Sequence, residues 1–282
     1  MMMRLYAAAC RVWDRASNAE IGLISAGIAF FGFLAIFPAL AAVITIWGYA
    51  ADPIVVQSQL NLIADYLPDE AFDLLYGQVQ RILATSNRSL GLASLLTTAF
   101  ALWSARAGVG ALISGINAIH GFPGRSGIRH LLRAFVMTMV LIGLVLSAMM
   151  AGLVTPLVLK FLPLGQASTV ALKLANFALV TFLVLSSIAV AYRLGPNREG
   201  EASTLHFLTP GTLLAVVLWA GVSRGLVFYL GNFANYNQVY GSIGAVVALL
   251  MWFYLSSYAV LLGSAVDAEL EADRRRRRAA PQ

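Results

Sequence analysis

The stretch whose reading decides the fold is Pro210–Asp267, PGTLLAVVLWAGVSRGLVFYLGNFANYNQVYGSIGAVVALLMWFYLSSYAVLLGSAVD. Two long apolar runs flank a short polar turn, Asn232 to Gln238. Backbone amides and carbonyls have no water to bond in hydrocarbon, so an apolar run of this length crosses a bilayer as a helix. The stretch therefore predicts a transmembrane helical hairpin. Arg224 is the only charged side chain well inside either run.

The rest of the chain has the same character. Hydrophobic residues make up 60% of the 282 positions, charged residues 11%, and mean hydropathy is +0.79. A soluble domain carries about 25% charged residues, so this chain has too little polar side chain to cover a soluble surface. The class is an all-α integral membrane protein. The net charge of +6 does not call for a nucleic-acid partner, because the Lys and Arg residues gather at the ends of apolar runs, where topology uses them. The single cysteine, Cys10, excludes an intramolecular disulfide and a CxxC metal site. Residues 1–20, MMMRLYAAACRVWDRASNAE, lack the compact apolar core and small-residue site of a cleavable signal. They read as an amphipathic interfacial helix, with Leu5, Val12 and Trp13 able to dip into the headgroups.

Six spans are expected within a membrane domain over 21–268, followed by a basic tail over 269–282. The first is about Ile21 to Ala50, with Pro38 inside it as a site for a kink or break. The second is Leu90 to Ile119, the third Ala134 to Leu162, the fourth Val170 to Tyr192, and the opening hairpin supplies the last two. Between the first two spans, residues 52–87 hold Asp52, Asp65, Asp69, Glu70 and Asp73, with apolar residues at helical spacing. They predict amphipathic helices outside the hydrocarbon. Six spans put both termini on one side. Counted by side, 13 Lys and Arg accompany the termini and 4 lie opposite. The positive-inside bias then places both termini in the cytoplasm and residues 52–87 on the outer side.

With these segments laid out, the chain resembles the YihY/BrkB family of bacterial inner-membrane proteins, formerly called ribonuclease BN. The resemblance covers about Ile21 to Glu269. It rests on AFFGFLAIFPAL in the first span, LWSARAGVGALISGIN in the second, PGTLLAVVLW opening the fifth, and YGSIGAVVALLMWFYLSSYAVLLGS in the sixth. The resemblance implies a six-helix fold in the bacterial inner membrane and no settled biochemical activity. Family members often carry an acid soon after the glycine closing the last span. Here Ala265 and Val266 follow Gly263-Ser264 and the first acid is Asp267, so no role is expected for that acid.

Metal-dependent RNA cleavage needs clustered His, Asp or Glu. His120, His130 and His206 are the only histidines, and none is paired at HxH or HxxxH spacing. No GxSxG, Walker or GxGxxG motif is present. An enzyme, a membrane-bound ribonuclease included, is not expected, nor are a metal or a cofactor. Arg106 and Arg224 carry more information. An arginine at mid-membrane costs about 2.5–3.5 kcal/mol on insertion scales, so it normally faces the bundle interior or a wet cavity. No Asp or Glu lies deep in a span to pair with either. They could bond backbone freed at Pro38 or Pro156, or the side chains of Asn117 or Asn176. Alternatively they form a site for an anionic group, since guanidinium binds phosphate bidentately. Under a three-plus-three inverted split the second and fifth spans correspond, each with its Arg after a Trp, in LWSARAG and LWAGVSRG. The expectation is that Arg106 and Arg224 approach a shared central cavity, with Trp103, Asn117 and Tyr240 lining it. The leading function is transport or translocation of an anionic or amphipathic substrate such as a phospholipid. The alternative is a non-catalytic scaffold of an envelope complex. Expected partners are membrane lipids, and either a second copy of the chain or an envelope protein.

Overall fold

The computed structural model describes residues 2–50, 76–77, 90–123, 128–161, 166–197, 208–232 and 235–279. All regular structure among them is helical: α1 (Met2–Asn18), α2 (Ile21–Ala50), α3 (Leu90–His120), α4 (Ile128–Phe161), α5 (Gln166–Leu194), α6 (Pro210–Asn232) and α7 (Asn235–Ala279). Five of these, α3 to α7, contain segments long and apolar enough to cross a membrane. A sixth candidate joins α1 to the first part of α2, and α2 itself is 30 residues with no charged side chain. The expected all-α membrane protein is therefore what the chain builds. The expected amphipathic insert at 52–87 lies outside the described residues except for Tyr76 and Gly77, which are helical.

Neighbours in sequence are neighbours in space. Helices α2 to α7 pack each against the next, and α7 closes the ring by packing on α2. Helix α7 also touches α3 and α1. Pro38 and Pro156 do not end their helices, which continue to Ala50 and Phe161. The polar turn expected at Asn232–Gln238 is shorter than anticipated: α6 runs through Asn232 and α7 begins at Asn235. Helix α7 also runs unbroken across 268/269. Helix α7 has 45 residues, about 68 Å at 1.5 Å per residue. That is twice the hydrocarbon thickness of about 30 Å, so α7 projects beyond the bilayer and carries Arg274–Arg276 with it.

The first helix is docked rather than loose. Glu20, with a φ of 51°, turns the chain so that α1 meets α2 at 56°. Ala16 and Ala19 are buried and Val12 packs on the core, while Tyr6 and Trp13 stay exposed. Arg11 Nε donates to Glu269 Oε1 at 2.5 Å and Arg15 Nη2 to Glu269 Oε2 at 3.3 Å. This contact places α1 and the C-terminal part of α7 at one end of the bundle, here called the terminal end.

The packed core sits at that end. The buried residues Ile113, Ile116, Ile119, Ile188, Ala191, Tyr192, Ala215, Leu261 and Ala265 all lie in the halves of their helices nearest the terminal end. At the far end, Val145, Leu146 and Met150 of α4, Leu174 and Phe177 of α5, and Val227 and Phe228 of α6 are exposed. Among the described residues the largest buried side chains gather at the terminal end, while exposed apolar side chains such as Ile128, Leu132 and Leu213 there, and those named at the far end, line the outward faces along the bundle.

Candidate functional site

The site residues expected from sequence fall into two groups, at different heights in the bundle. Arg106 lies about four turns of helix before the last residue of α3, His120, and Arg224 about four turns after the first residue of α6, Pro210. Both are thus about 21 Å from the terminal end, Arg106 near the middle of α3 and Arg224 in the far half of α6. Arg106 is half-buried, between Ser104 (buried) and Gly108, which packs against Phe31 and Gly32 of α2. Its Nε is buried with no hydrogen-bond partner. Its guanidinium lies over the Trp103 ring, 4.7 Å from the centroid. Trp103 is 62% exposed and stands one turn nearer the far end. The arginine therefore bends along its helix toward the far surface, and the ring offsets part of its desolvation, by about 0.5–2 kcal/mol.

Arg224 departs from expectation. It is exposed, not enclosed, and α6 packs on α5 and α7 rather than closely on α3. The reason is the register of α6. Ser223 Oγ accepts a hydrogen bond from Trp252 Nε1 of α7 at 3.1 Å, so Ser223 faces the bundle. The next side chain is turned by about 100° and leaves on the flank. Gly221 and Gly225 have open space where a Cβ would stand, so this flank of α6 is bare around Arg224. Neither arginine has a carboxylate partner among the described residues.

Asn117 belongs to the other height. Helix α3 stops at Gly121, whose φ of 71° is the left-handed conformation that glycine adopts without a Cβ penalty. Phe122 N–H returns to Asn117 O at 2.9 Å and Gly121 N–H to Ala118 O at 3.2 Å, a Schellman turn. The Asn117 side chain is buried and its Oδ1 accepts Asn197 N–H at 2.6 Å, while Asn197 Nδ2 donates to Pro123 O at 3.1 Å. Asn117 thus ties the end of α3 to the end of α5 at the terminal end and does not stand beside the arginines. Tyr240 lies in the first turns of α7, with its side chain outside the described residues.

Asp267, given no role on sequence grounds, has a place in the structure. It is 1% exposed. Its Oδ1 accepts Gly211 N–H at 2.8 Å and its Oδ2 accepts the Thr209 hydroxyl. Thr209 is the N-cap of α6: its Oγ1 accepts Thr212 N–H at 3.1 Å, with Pro210 at the first helical position. A carboxylate on α7 therefore completes the cap of α6 and complements its dipole. Gly211 and Gly263 make this possible, because a Cβ on either would collide with the other's carbonyl. Tyr192 of α5 joins the same junction, donating its hydroxyl to Val260 O. The sequence signal was available in T-P-G-T, a capping pattern with Gly in place of bulk, once a partner carboxylate is sought across the hairpin.

No group of three His, Cys, Asp or Glu among the described residues is placed to hold a metal ion. His120 stacks on Phe122 with centroids 5.5 Å apart, and its Nδ1 lies 2.9 Å from Ile116 O, which is a helix-end role. Comparison with known proteins agrees with the membrane architecture. The family model for virulence factor BrkB matches residues 12–282. A putative ribonuclease-like protein, YfkH, from Bacillus subtilis is 31% identical over 254 residues, spanning 87% of this chain and 88% of that one. A UPF0761 membrane protein from Xanthomonas campestris pv. campestris is 42% identical over 87 residues, which is 31% of this chain and 20% of the relative. The match thus spans only a fifth of the Xanthomonas relative's length. No solved structure matches. With several membrane-crossing helices and a family model that covers nearly its whole length, the chain belongs to the BrkB family of membrane proteins.

Proposed function

We propose that this protein binds and moves an anionic, amphipathic substrate, a phospholipid being the simplest case, at the level of Arg106 and Arg224. The observation that carries the reading is the pair of guanidiniums at matched depth without carboxylate partners among the described residues, one of them held over an exposed tryptophan. A charge left unpaired there costs a few kcal/mol, and a phosphate group relieves that cost through bidentate, charge-assisted hydrogen bonds. The exposure of Arg224 on a bare helix flank favours a substrate that arrives sideways from the lipid over one that arrives through an enclosed channel. Acyl chains remain in the bilayer beside α6 while the headgroup meets the arginines. Orientation in the inner membrane with both termini cytoplasmic, as the charge bias predicts, would put this level in the outer half of the membrane.

The test is a headgroup-accessibility assay. Purified protein is reconstituted into vesicles containing phosphatidylglycerol with a fluorescent headgroup, and the fraction reached by an impermeant quencher is followed in time. Wild type is expected to exchange lipid between leaflets faster than empty vesicles. Arg106→Ala is expected to lower the protein-dependent rate at least tenfold, and Arg224→Ala to lower it by a smaller factor, because Arg224 has more solvent and headgroup access. Arg193→Ala, at the terminal end of α5, is the control. Rates for Arg106→Ala and Arg224→Ala equal to wild type would overturn the proposal.

A further inference from the structure

A second polar site lies at the terminal end, far from the two intramembrane arginines. A cavity of about 360 Å³ opens where α1 crosses the ends of α3 and α7, lined by Arg11, Asp14, Arg15, Ile119, Glu269 and Arg276 among others. That volume is in the range of small-molecule sites, roughly 300–1,000 Å³. We infer that this cavity binds a phosphate group, that of a membrane lipid headgroup, and that α1 is the element that completes it.

The charges in the cavity favour an anion. Three arginines face two carboxylates. Glu269 is 5% exposed and bridges Arg11 and Arg15 through its two oxygens, so one buried negative charge serves two guanidiniums. Arg15 spends Nη1 on Ile119 O at 3.0 Å, which caps the end of α3. Arg11 commits only Nε to Glu269, and its side chain is 40% exposed. The outer edge of the Arg11 guanidinium and the exposed Arg276 are left as donors, in the fork geometry that suits phosphate oxygens. Arg274 and Arg275, also exposed on the same helix, reinforce the positive field.

The position of the cavity favours a headgroup. Ile119 and Gly121 stand where the apolar span of α3 ends, at His120, and Ala19 stands just before α2 begins. The cavity is thus at the boundary between hydrocarbon and water, the level of the headgroups. On α1, Trp13 precedes the cavity residue Asp14 and is 62% exposed, and Tyr6 is 75% exposed. Exposed Trp and Tyr beside basic residues are the usual anchors of that layer. A soluble phosphate compound offers the same headgroup chemistry without chains, so the test separates the two sources.

Native mass spectrometry of the intact protein in detergent gives the readout, with phosphatidic acid, phosphatidylcholine and glycerol 3-phosphate as probes. Saturable binding of one phosphatidic acid is expected, weakened at least fivefold in Arg276→Gln, which leaves the Glu269 bridges intact. Asp14→Asn removes a like charge and is expected to strengthen binding about fivefold, an effect of opposite sign that loss of structure cannot imitate. Glycerol 3-phosphate that competes as well as the lipid would overturn the lipid assignment and give the same phosphate site to a soluble compound. Binding unchanged in both variants would overturn the inference. All of these proteins carry Arg106→Ala and Arg224→Ala as background, so the one lipid counted is that of the terminal-end cavity and the outcome is independent of lipid movement at the other site.

Discussion

The crossing of α6 and α7 gives the most demanding test of the packing. Gly263 faces three atoms that leave no room for a side chain. A Cβ there would stand 2.6 Å from the Tyr192 hydroxyl and 2.8 Å from Ala215 Cβ, and nearer still to Gly211 O. At Gly211 a Cβ would stand 2.5 Å from Asp267 Oδ1, with Gly263 O closer. Ordinary C···O contacts begin near about 3.3 Å, so alanine at either position forces the helices apart by most of an ångström. Overpacking of this kind costs about 1–3 kcal/mol. The displacement also stretches the Gly211 N–H to Asp267 bond, a hydrogen bond to a charged group contributing about 1.5–3 kcal/mol. Gly263→Ala is therefore expected to lose roughly 3–5 kcal/mol, which for a chain of this size lowers Tm by on the order of 10 °C. The assay is thermal unfolding of the detergent-purified protein followed by loss of the monodisperse gel-filtration peak. Gly143→Ala and Gly221→Ala are the matched controls, since nothing lies within 4 Å of a Cβ at either position. Gly263→Ala melting together with those controls would refute the close-crossing argument.

Three other perturbations follow from the same polar ties. Asp267→Ala strands the Gly211 N–H and the Thr209 hydroxyl in a buried junction and is expected to cost about 2–4 kcal/mol, whereas Asp267→Asn keeps an acceptor for Gly211 and should lose about half as much in the same melting assay. Glu20→Gly removes a side chain from a left-handed position and should stabilise by about 1 kcal/mol, seen as a small rise in Tm. Glu269→Gln breaks two ion pairs to partly solvated arginines and should release α1 at a cost of about 2 kcal/mol; hydrogen exchange of residues 2–18 is expected to quicken at least tenfold while α3 is unchanged.

What the sequence made legible was the part governed by hydrocarbon. Long, predominantly apolar runs form helices there, so the second, third and fourth expected spans begin and end within two turns of α3, α4 and α5, and the first span matches α2 at both ends. The polar ties were harder, because each depends on a partner that is distant in the chain. Asp267 meets Gly211 across 56 positions, Asn117 meets Asn197 across 80, and Glu269 meets Arg11 across 258. No local period encodes such pairs. Arg224 was misplaced for a related reason. A charge in an apolar run argues for an interior position, but the facing of one side chain is set by helix register, and that register is fixed by Ser223 bonding to Trp252 on the next helix. Asn117 was assigned by residue type to the company of Arg106, although three turns of helix, about 16 Å, separate them.

The distribution of these ties bears on how the bundle could move. Among the described residues, Asn117 with Asn197, Thr209 and Gly211 with Asp267, and Arg11 and Arg15 with Glu269 all bond across elements at the terminal end. Each fixes two segments against one another, and together they link α1, α3, the end of α5, α6 and α7. The Gly211–Gly263 crossing adds a contact with no slack. A helix tied at one end pivots most easily about that end, and α6, also bonded to α7 through Ser223 and Trp252, would pivot together with it. Over about 16–20 Å of helix, a tilt of about 10° displaces it by about 3 Å. Arg106 and Arg224 stand at about that distance from the clamp. The lipid movement proposed above would then ask for small changes of tilt in α4 and α5, or of α6 together with α7, while the terminal end keeps its hydrogen bonds. The same clamp explains how Asp267 has a role although Ala265 and Val266 separate it from Gly263-Ser264. Helix α7 continues unbroken past it, so an acid on the α6 side of that helix still reaches the first turn of α6 where Gly211 and Gly263 let the backbones meet.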